Sequence, residues 1–217
     1  MTVLGIDTSS AAASAAVCRI ENSGAATVLA SCYANIEAVH SKTLMPMLEN
    51  MLKTLFEEEP PIPIDKIAVS TGPGSFTGLR IALSAAKGLA FALDIPIAPV
   101  STLYSLALNS ISFNGIVCPV LNARRGQFYN ALFRISDSTV TRLCPDRAIA
   151  GQELIQELKA YSEPVILSGD GAHLFDGFRT APPLLQFQNA VSVCLASGEG
   201  KPIHEVMPDY LRPVRIG

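Results

Sequence analysis

The sequence predicts an α/β fold of two related halves, each built on a mixed β-sheet. Residues 2–7 form a short apolar run that ends on an acid and leads into a hairpin. A second apolar run breaks into a glycine-rich turn and continues as a long helix. Both patterns return in weaker form at residues 118–132 and 165–171. This duplication predicts an N-terminal half at residues 1–110 and a smaller C-terminal half at residues 111–217.

The first half is predicted to open with an antiparallel meander, followed by alternating helices and strands. Turn residues after Asp7 and around Gly24 separate the first three strands. Prolines at positions 60, 61 and 63 are expected to end the first helix, because proline cannot continue one. Ser101 is expected to cap the last helix. The predicted elements are strands at residues 2–7, 13–18, 27–33, 67–69 and 95–100 and helices that begin at His40, Thr77 and Thr102.

The turn Ser70-Thr71-Gly72-Pro73-Gly74-Ser75 is the most distinctive segment of the chain. Its glycines can take a positive φ and its proline fixes its own φ, so the backbone can turn sharply. Ser75 or Thr77 is then expected to cap the following helix by accepting from a free backbone N–H. No lysine follows at the spacing of a P-loop, and the three-glycine dinucleotide fingerprint is absent.

Two helices of the first half have more apolar side chains than one buried face requires. In the second, Arg80, Ser84 and Lys87 form a single narrow polar stripe, and methionines and leucines widen the apolar face of the first. We therefore predict that the pair forms a protein-binding surface, with core packing as the alternative for the methionines. The sequence leaves open which faces point outward. The side chains assigned to this surface are Leu44, Met47, Leu48, Met51, Leu83 and Lys87.

The second half is predicted to repeat this plan, with Asn122 where Asp7 stands in the first half. Gly169-Asp170-Gly171 takes the place of the first glycine turn. Arg124 and Arg125 follow Asn122, where they either reach a phosphate or an acidic partner or form an ordinary salt-bridged hairpin. Residues 209–213 are expected to be a rigid, arginine-bearing segment. Further strands are predicted at residues 128–135 and 140–144, and helices at 152–161 and 190–196.

Composition narrows the classes of function. Apolar residues make up 49% of the chain and charged residues 16%, so a sizeable apolar surface is expected. A net charge of −3 predicts weak binding of nucleic acid by the chain alone, because few counterions would be released. Five cysteines without a Cys-x-x-Cys motif indicate reduced thiols of a cytoplasmic protein. We expect no signal peptide, because the first residues lack a basic and apolar signal pattern. The apolar stretch 81–93 contains Lys87 and is expected to be too short to span a membrane.

A carboxylate followed by hydroxyls at the first hairpin is the arrangement with which actin-like folds hold a phosphate and its metal. Within this arrangement the candidate nucleotide-binding residues are Asp7, Thr8, Ser9, Gly72 and Gly74. The alternative is a turn in which Asp7 bonds to local backbone. The duplicated strand, hairpin and glycine turn is also the architecture shared by acetate kinase, sugar kinases, Hsp70 and actin. The predicted fold class is therefore actin-like.

Ser-Thr-Gly-Pro-Gly-Ser-Phe-Thr-Gly-Leu-Arg at residues 70–80 closely resembles the signature of the TsaB (YeaZ) family, and four further segments are similar. The resemblance implies two actin-like halves with ribonuclease-H-like cores and an accessory role in tRNA threonylcarbamoyladenosine synthesis. It also implies docking of a larger TsaD-like paralogue through the two apolar helices, with a homodimer when that paralogue is absent. The resemblance further implies a TsaE-like ATPase as a partner. The complex, rather than the isolated chain, would then bind the tRNA, any ATP or ADP and any metal. The four further segments are residues 4–10, 40–48, 121–129 and 208–212.

The chain also departs from catalytic relatives of this family. TsaD-like proteins hold a metal with His-x-x-x-His, but His40 is followed four residues later by Leu44. Many family members have an acid where Asn122 stands, and an amide can neither accept a proton nor balance a cation. We therefore assign no catalytic or metal-binding residue and favour a non-catalytic scaffold. Two alternatives stay open: a small actin-like ATP-dependent kinase that uses Asp7, and a metallopeptidase of the glycoprotease type.

Overall fold

The computed structural model describes residues 1–35, 40–57 and 63–211, without the side chain of His40. The prolines at 60 and 61 and the end of the predicted rigid segment, residues 212 and 213, lie outside the described residues, as does any ligand role of His40. The elements, in chain order, are β1 (Thr2–Asp7), β2 (Ala12–Ile20), β3 (Ala26–Asn35), α1 (His40–Phe56), β4 (Lys66–Gly72), α2 (Phe76–Leu93), β5 (Ile97–Ser101), α3 (Thr102–Leu108), β6 (Gly115–Asn122), β7 (Gln127–Asn130), β8 (Phe133–Ser136), β9 (Thr139–Arg142), β10 (Arg147–Ala150), α4 (Gly151–Lys159), β11 (Val165–Ser168), β12 (Arg179–Thr180) and α5 (Ala190–Leu195).

The first sheet has the strand order β3-β2-β1-β4-β5, with β1, β2 and β3 antiparallel and β4 and β5 parallel to β1. This order and this mixture are those of a ribonuclease-H-like half. Leu4 and Ile6 on one face of β1 belong to the cluster that contains α1 and α2, whereas Val3 on the other face packs against α5. The central strands are therefore buried on both sides, as their uniformly apolar sequences require.

The second sheet has the order β10-β7-β6-β11-β12, with β8 paired to β6 and to β9. Its centre repeats the first half, because β6 pairs antiparallel with β7 and parallel with β11, as β1 does with β2 and β4. The duplicated plan confirms the predicted actin-like fold. One element is reduced: a 3₁₀ turn, Ala172–Leu174, follows the glycine turn of this half where the first half has α2.

The strand predicted at residues 128–135 is two strands, β7 and β8, and this is a correction. β7 pairs with β6 from Val120 onward and β8 pairs with it up to Val117, so the ladder is interrupted opposite Pro119. Proline has no N–H to donate to a ladder. The side-chain amide of Asn130 fills the gap by donating to the carbonyl of Pro119 at 3.1 Å.

Within the predicted second half, residues 111–217, the chain returns to the first sheet after residue 189. Helix α5 packs on β1 and β2, and the Cys194 thiol lies 3.5 Å from the carbonyl oxygen of Val3. Lys201 and Ile97 exchange two backbone hydrogen bonds, and Val206 lies in the core beneath α1 and α2. An apolar helix of six residues can pack on either sheet, so its sequence alone does not show which sheet it joins.

Helix α2 begins as predicted, with Ser75 accepting a hydrogen bond from the Gly78 N–H at 3.2 Å. Its 18 residues have a mean hydropathy of 1.3, which by length and composition alone would suffice to cross a membrane. Six of them, however, are buried in the domain, and all six lie on a single face of the helix. The buried face of the helix therefore packs on the first sheet.

Candidate functional site

The first turn holds its acid and hydroxyls inside the fold. Asp7 is fully buried, and its carboxylate accepts hydrogen bonds from the Ser9 N–H at 2.9 Å and from the Ser9 hydroxyl at 2.9 and 3.1 Å. Thr8 is also fully buried and donates its hydroxyl to the carbonyl of Gly78 at 2.6 Å. The turn therefore resembles the structural alternative, in which these side chains organise local backbone.

The glycine turn packs directly on this first turn. The Ser75 N–H donates to the Ser9 carbonyl at 2.7 Å. A Cβ atom on Gly74 would lie 2.5 Å from the same Ser9 oxygen, and a Cβ atom on Gly78 would overlap the Thr8 carbonyl oxygen. Gly72 is buried with a φ of +136°, which favours glycine. Close approach of backbone to backbone accounts for these glycines.

We expect two glycine-to-alanine changes in α2 to have opposite effects. Gly78→Ala should lower the free energy of unfolding by about 1–3 kcal/mol, because the added methyl meets backbone that cannot rotate away. Gly88→Ala should raise it by about 0.5–1 kcal/mol, because nothing lies within 4 Å of the new methyl and alanine favours the helix. Urea unfolding measures both. Equal effects at the two positions would contradict the close packing of the two turns.

A cleft of about 850 Å³ lies between the two halves. From the first half, Ser9, Gly74 and the residues around them face it, and the second half contributes the end of β6 and the turn after β11. Of the five predicted nucleotide residues, Asp7, Thr8 and Gly72 do not line this cleft. The residues that line it are Ser9, Ser10, Ala11, Ser41, Gly74, Ser75, Phe76, Thr77, Gly78, Ile81, Leu121, Asn122, Ala123, Arg124, Tyr129 and Asp170.

The second-half wall of the cleft is organised by Asp170 and Asn122. Asp170 accepts from the Asn122 N–H at 2.8 Å, and the Asn122 side-chain oxygen accepts from the Arg124 N–H at 2.8 Å. Arg124 and Arg125 have φ values of 63° and 57°, so both belong to a left-handed turn. Neither guanidinium lies within 4.0 Å of a carboxylate of the described residues, so the predicted salt-bridged hairpin is not formed there.

Burial raises the pKa of Asp170 above its ordinary value, although the hydrogen bonds it accepts oppose this shift. A raised pKa in the folded state means that ionisation destabilises the fold, so stability falls as the pH rises through the interval between the unfolded and folded pKa values. Asp170→Asn keeps an oxygen that can accept from Asn122 and removes this loss. We expect the stability of the variant relative to the wild type to increase from about pH 3 to neutral pH. A pH series of urea unfolding checks this, and a constant difference would contradict it.

The actin-like fold implies a nucleotide, and the residues of the first turn do not fit one. A phosphate and its metal need an available carboxylate and free hydroxyls, but Asp7 is bonded to Ser9, and Thr8 is bonded to Gly78. Within the described ranges, no group of three or more His, Cys, Asp or Glu side chains is arranged to hold a metal. Asp7, Thr8 and Gly72 lie outside the cleft lining, whereas Ser9 and Gly74 belong to it. The assignment of these five residues to a nucleotide site stays a prediction.

A second concave surface, the α1–α2 groove, lies between the two helices of the first half and has a volume of about 670 Å³. Apolar atoms dominate its walls, and Met45 at its edge is 50% exposed. Arg80 is the one basic side chain among the described residues that line it. The lining residues are Ser41, Leu44, Met45, Phe76, Thr77, Arg80, Ile81, Ser84, Ala85, Gly88 and Leu89.

Most side chains assigned to the protein-binding surface lie in the core, which corrects that part of the prediction. Exposure is 1% for Leu44 and Leu48, 5% for Met51 and 6% for Leu83, because these residues face the sheet. Met47 and Lys87 are half-buried and lie outside the groove lining. Leu44 alone of the six reaches the floor of the groove.

The outward faces of the two helices are those that contain the charged residues. The positions of these charged residues in the sequence therefore indicate which face of each helix is exposed. On α1, the charged residues Lys42, Glu49 and Lys53 are exposed, and Met45 lies between them on the same side of the helix. On α2, the polar stripe of Arg80 and Ser84 borders the groove. The exposed surface therefore follows the charged residues of each helix, while the fully apolar faces pack on the sheet.

Comparisons with known proteins show which family this chain resembles. A family model described as TsaD, tRNA N6-adenosine threonylcarbamoyltransferase, matches residues 34–196. A Bacillus subtilis (strain 168) protein described as tRNA threonylcarbamoyladenosine biosynthesis protein TsaB is 33% identical, with 98% of this chain and 94% of the relative covered. An Escherichia coli (strain K12) protein of the same description is 30% identical over 85% of this chain and 75% of its own length. A Pseudomonas aeruginosa crystal structure, described as similar to peptidase YEAZ, has a TM-score of 0.79 and 26% identity, covering 97% and 99% of the two chains.

Proposed function

This chain belongs to the TsaB (YeaZ) family, and on that premise we propose that it is a non-catalytic subunit that docks a larger TsaD-like paralogue. It takes part in tRNA threonylcarbamoyladenosine biosynthesis, as its family membership indicates. In this proposal the paralogue transfers the threonylcarbamoyl group to the adenosine next to the anticodon of tRNA. This chain supports that transfer by binding the paralogue.

The observation that supports docking most strongly is the α1–α2 groove. It is an open surface of about 670 Å³ with mainly apolar walls, next to exposed apolar side chains such as Met45. Exposed apolar concavities of this kind are typical of protein-binding surfaces. The family model that matches this chain is that of the transferase itself, so the two proteins share ancestry. Related chains can pair the same elements about a pseudo-two-fold axis, which also allows a homodimer of this chain when the paralogue is absent.

The state of the first turn supports the non-catalytic part of the proposal. Asp7 would be the metal- or phosphate-binding acid of an actin-like kinase, yet its carboxylate is fully buried and accepts hydrogen bonds from both the N–H and the hydroxyl of Ser9. Asn122 occupies the equivalent end of β6, and its side-chain oxygen accepts from the Arg124 N–H. We therefore propose that ATP or ADP and any metal are bound by the assembled complex rather than by this chain alone. The TsaE-like ATPase is proposed as a further member of that complex. tRNA is bound through the complex as well, because this chain has a net charge of −3.

The cytoplasm is the compartment that fits this role. All five cysteines are free thiols, three of them buried, which is the state expected of a protein in a reducing compartment.

Reconstitution of the reaction tests the proposal. The paralogue, the TsaE-like ATPase, tRNA and substrates are incubated with and without this chain, and threonylcarbamoyladenosine is quantified by mass spectrometry of tRNA nucleosides. We expect omission of the chain to lower product at least tenfold. ATP turnover by the isolated chain, removed by Arg124→Ala in the cleft, would instead favour the kinase alternative. Peptide hydrolysis that depends on an added metal would favour the metallopeptidase alternative.

A further inference from the structure

Arg80 is held in one orientation at the edge of the α1–α2 groove by two aromatic rings. The guanidinium carbon lies 3.7 Å from the centroid of the Phe76 ring and 6.0 Å from that of Tyr210. Its Nε donates to the Tyr210 hydroxyl at 3.0 Å, and the two rings are 5.2 Å apart. A guanidinium restrained in this way loses little conformational freedom when it binds a ligand.

Tyr210 is fixed by the segment that precedes it. Val206 is 1% exposed in the core beneath α2, and the Asp209 N–H donates to the Thr71 carbonyl at 2.7 Å. The Asp209 carbonyl packs against Gly72 so closely that a side chain there would overlap it. Residues 206–210 thus form a strap across the glycine turn, and this strap positions the Tyr210 ring beside Arg80.

The charge of Arg80 is left unbalanced in the described part of the chain. Its side chain is exposed, and no carboxylate of residues 1–35, 40–57 or 63–211 lies within 4.0 Å of its guanidinium. The hydrogen bond to Tyr210 uses Nε, so the two terminal nitrogens keep their donors. Paired N–H donors in one plane are the arrangement that binds a carboxylate with two parallel hydrogen bonds.

We propose that Arg80 is the polar anchor of the docking surface and pairs with an aspartate or glutamate of the TsaD-like partner. This inference rests on the docking role proposed above. A carboxylate fits better than a tRNA phosphate because the groove lining contains one basic side chain within mainly apolar walls, whereas phosphate backbones are bound by several basic residues. When the partner docks, it excludes water from the ion pair, and this strengthens the attraction between the two charges. The pair also fixes the register of the apolar contacts around it.

Binding of the purified paralogue by variants of this chain, followed by calorimetry in low and high salt, tests the anchor. Arg80→Gln is expected to raise the Kd about 30-fold or more and to reduce its dependence on salt. The Kd of Arg80→Lys should lie between those of the wild type and Arg80→Gln, because lysine keeps the charge but lacks the planar guanidinium and its stacking on the rings. Arg19→Gln is the matched control: Arg19 is exposed and pairs in register with Thr2, at the end of β1 opposite the glycine turn. It should bind like the wild type.

Tyr210→Phe separates positioning from charge. The variant keeps the stacked ring and removes only the acceptor of the Nε hydrogen bond. We expect a smaller rise in Kd, of about threefold to tenfold, and no further rise when Tyr210→Phe is added to Arg80→Gln. Additive effects in the double variant would show that Tyr210 acts independently of Arg80 and would contradict its positioning role.

The identity of the ligand is tested by charge reversal. Arg80→Glu should lose binding, and one aspartate-to-lysine or glutamate-to-lysine change in the partner should restore it. An unchanged Kd for Arg80→Gln, with docking still lost in Met45→Lys, would overturn the anchor and leave the docking role intact. Absence of binding by the wild-type chain would overturn both. An unchanged Kd for the paralogue together with weaker tRNA binding by the assembled complex would identify phosphate as the ligand and overturn the carboxylate assignment.

Discussion

Met45→Glu should abolish docking of the TsaD-like paralogue without unfolding the chain. The side chain is 50% exposed at the edge of the α1–α2 groove, so a carboxylate there is solvated in the free protein. In the complex it would be buried in mainly apolar surroundings, which costs several kcal/mol. We expect the Kd to rise at least about 100-fold and tRNA modification to fall with it, while the free energy of unfolding changes by about 0.5 kcal/mol or less.

Two further variants test whether this loss of docking comes from burying a charge in the groove. A glutamate at position 45 would lie in the same groove as Arg80 and could compete with the carboxylate of the partner for its guanidinium. Met45→Lys cannot compete in this way, because lysine and Arg80 carry the same charge. It should therefore disrupt docking equally if burial of a charge is the cause. Leu184→Glu is the matched control, because Leu184 is 91% exposed on the 3₁₀ turn Pro183–Leu185 of the second half. Loss of docking by the control as well, or normal docking by both Met45 variants, would contradict the groove as the binding surface.

Leu48→Ala should lower the free energy of unfolding by about 2–5 kcal/mol. Leu48 is 1% exposed and packs beneath α1 against the first sheet, so removing its methyl groups leaves a cavity that the sheet cannot close. Met45→Ala on the same helix should change stability by less than about 1 kcal/mol, because half of its side chain is already in water.

Chemical unfolding of the two alanine variants checks the assignment of the helix faces. The sequence placed Leu48 on the protein-binding surface, and the structure places it in the core. Similar losses at positions 45 and 48 would show that α1 is rotated about its axis, with a different face on the sheet. Binding of the paralogue by folded Leu48→Ala should stay close to that of the wild type, since the groove lining excludes Leu48.

Local chemistry made most of the fold predictable. The turn after β4 contains glycines where backbone meets backbone, Ser75 caps α2 as expected, and the repeated strand patterns correspond to equivalent strands of two sheets. These features depend on residues close together in sequence. The sheet on which α5 packs is set by contacts with residues more than a hundred positions away in the chain. The short apolar pattern of α5 itself therefore does not show which sheet it joins.

The sequence indicated the two helices that border the α1–α2 groove, but most of the side chains it assigned to the surface lie in the core. Counting apolar residues identified α1 and α2 correctly as helices with an open surface, but the most apolar positions, such as Leu44 and Leu83, are the ones that the sheet buries. In the sequence, Arg80 is recognisable only as part of a polar stripe on α2. Its partner ring on Tyr210 lies 130 residues away in the chain, and no local pattern connects the two.

Backbone hydrogen exchange of this chain, measured with and without the paralogue, tests the central claim most directly. If the α1–α2 groove is the docking surface, adding the paralogue should slow exchange in His40–Phe56 and Phe76–Leu93 and in the strap at residues 206–210. Exchange in α4, on the second sheet, should stay unchanged and serves as the internal reference. Slower exchange confined to the second half or to the walls of the cleft, with the two helices unaffected, would contradict the claim.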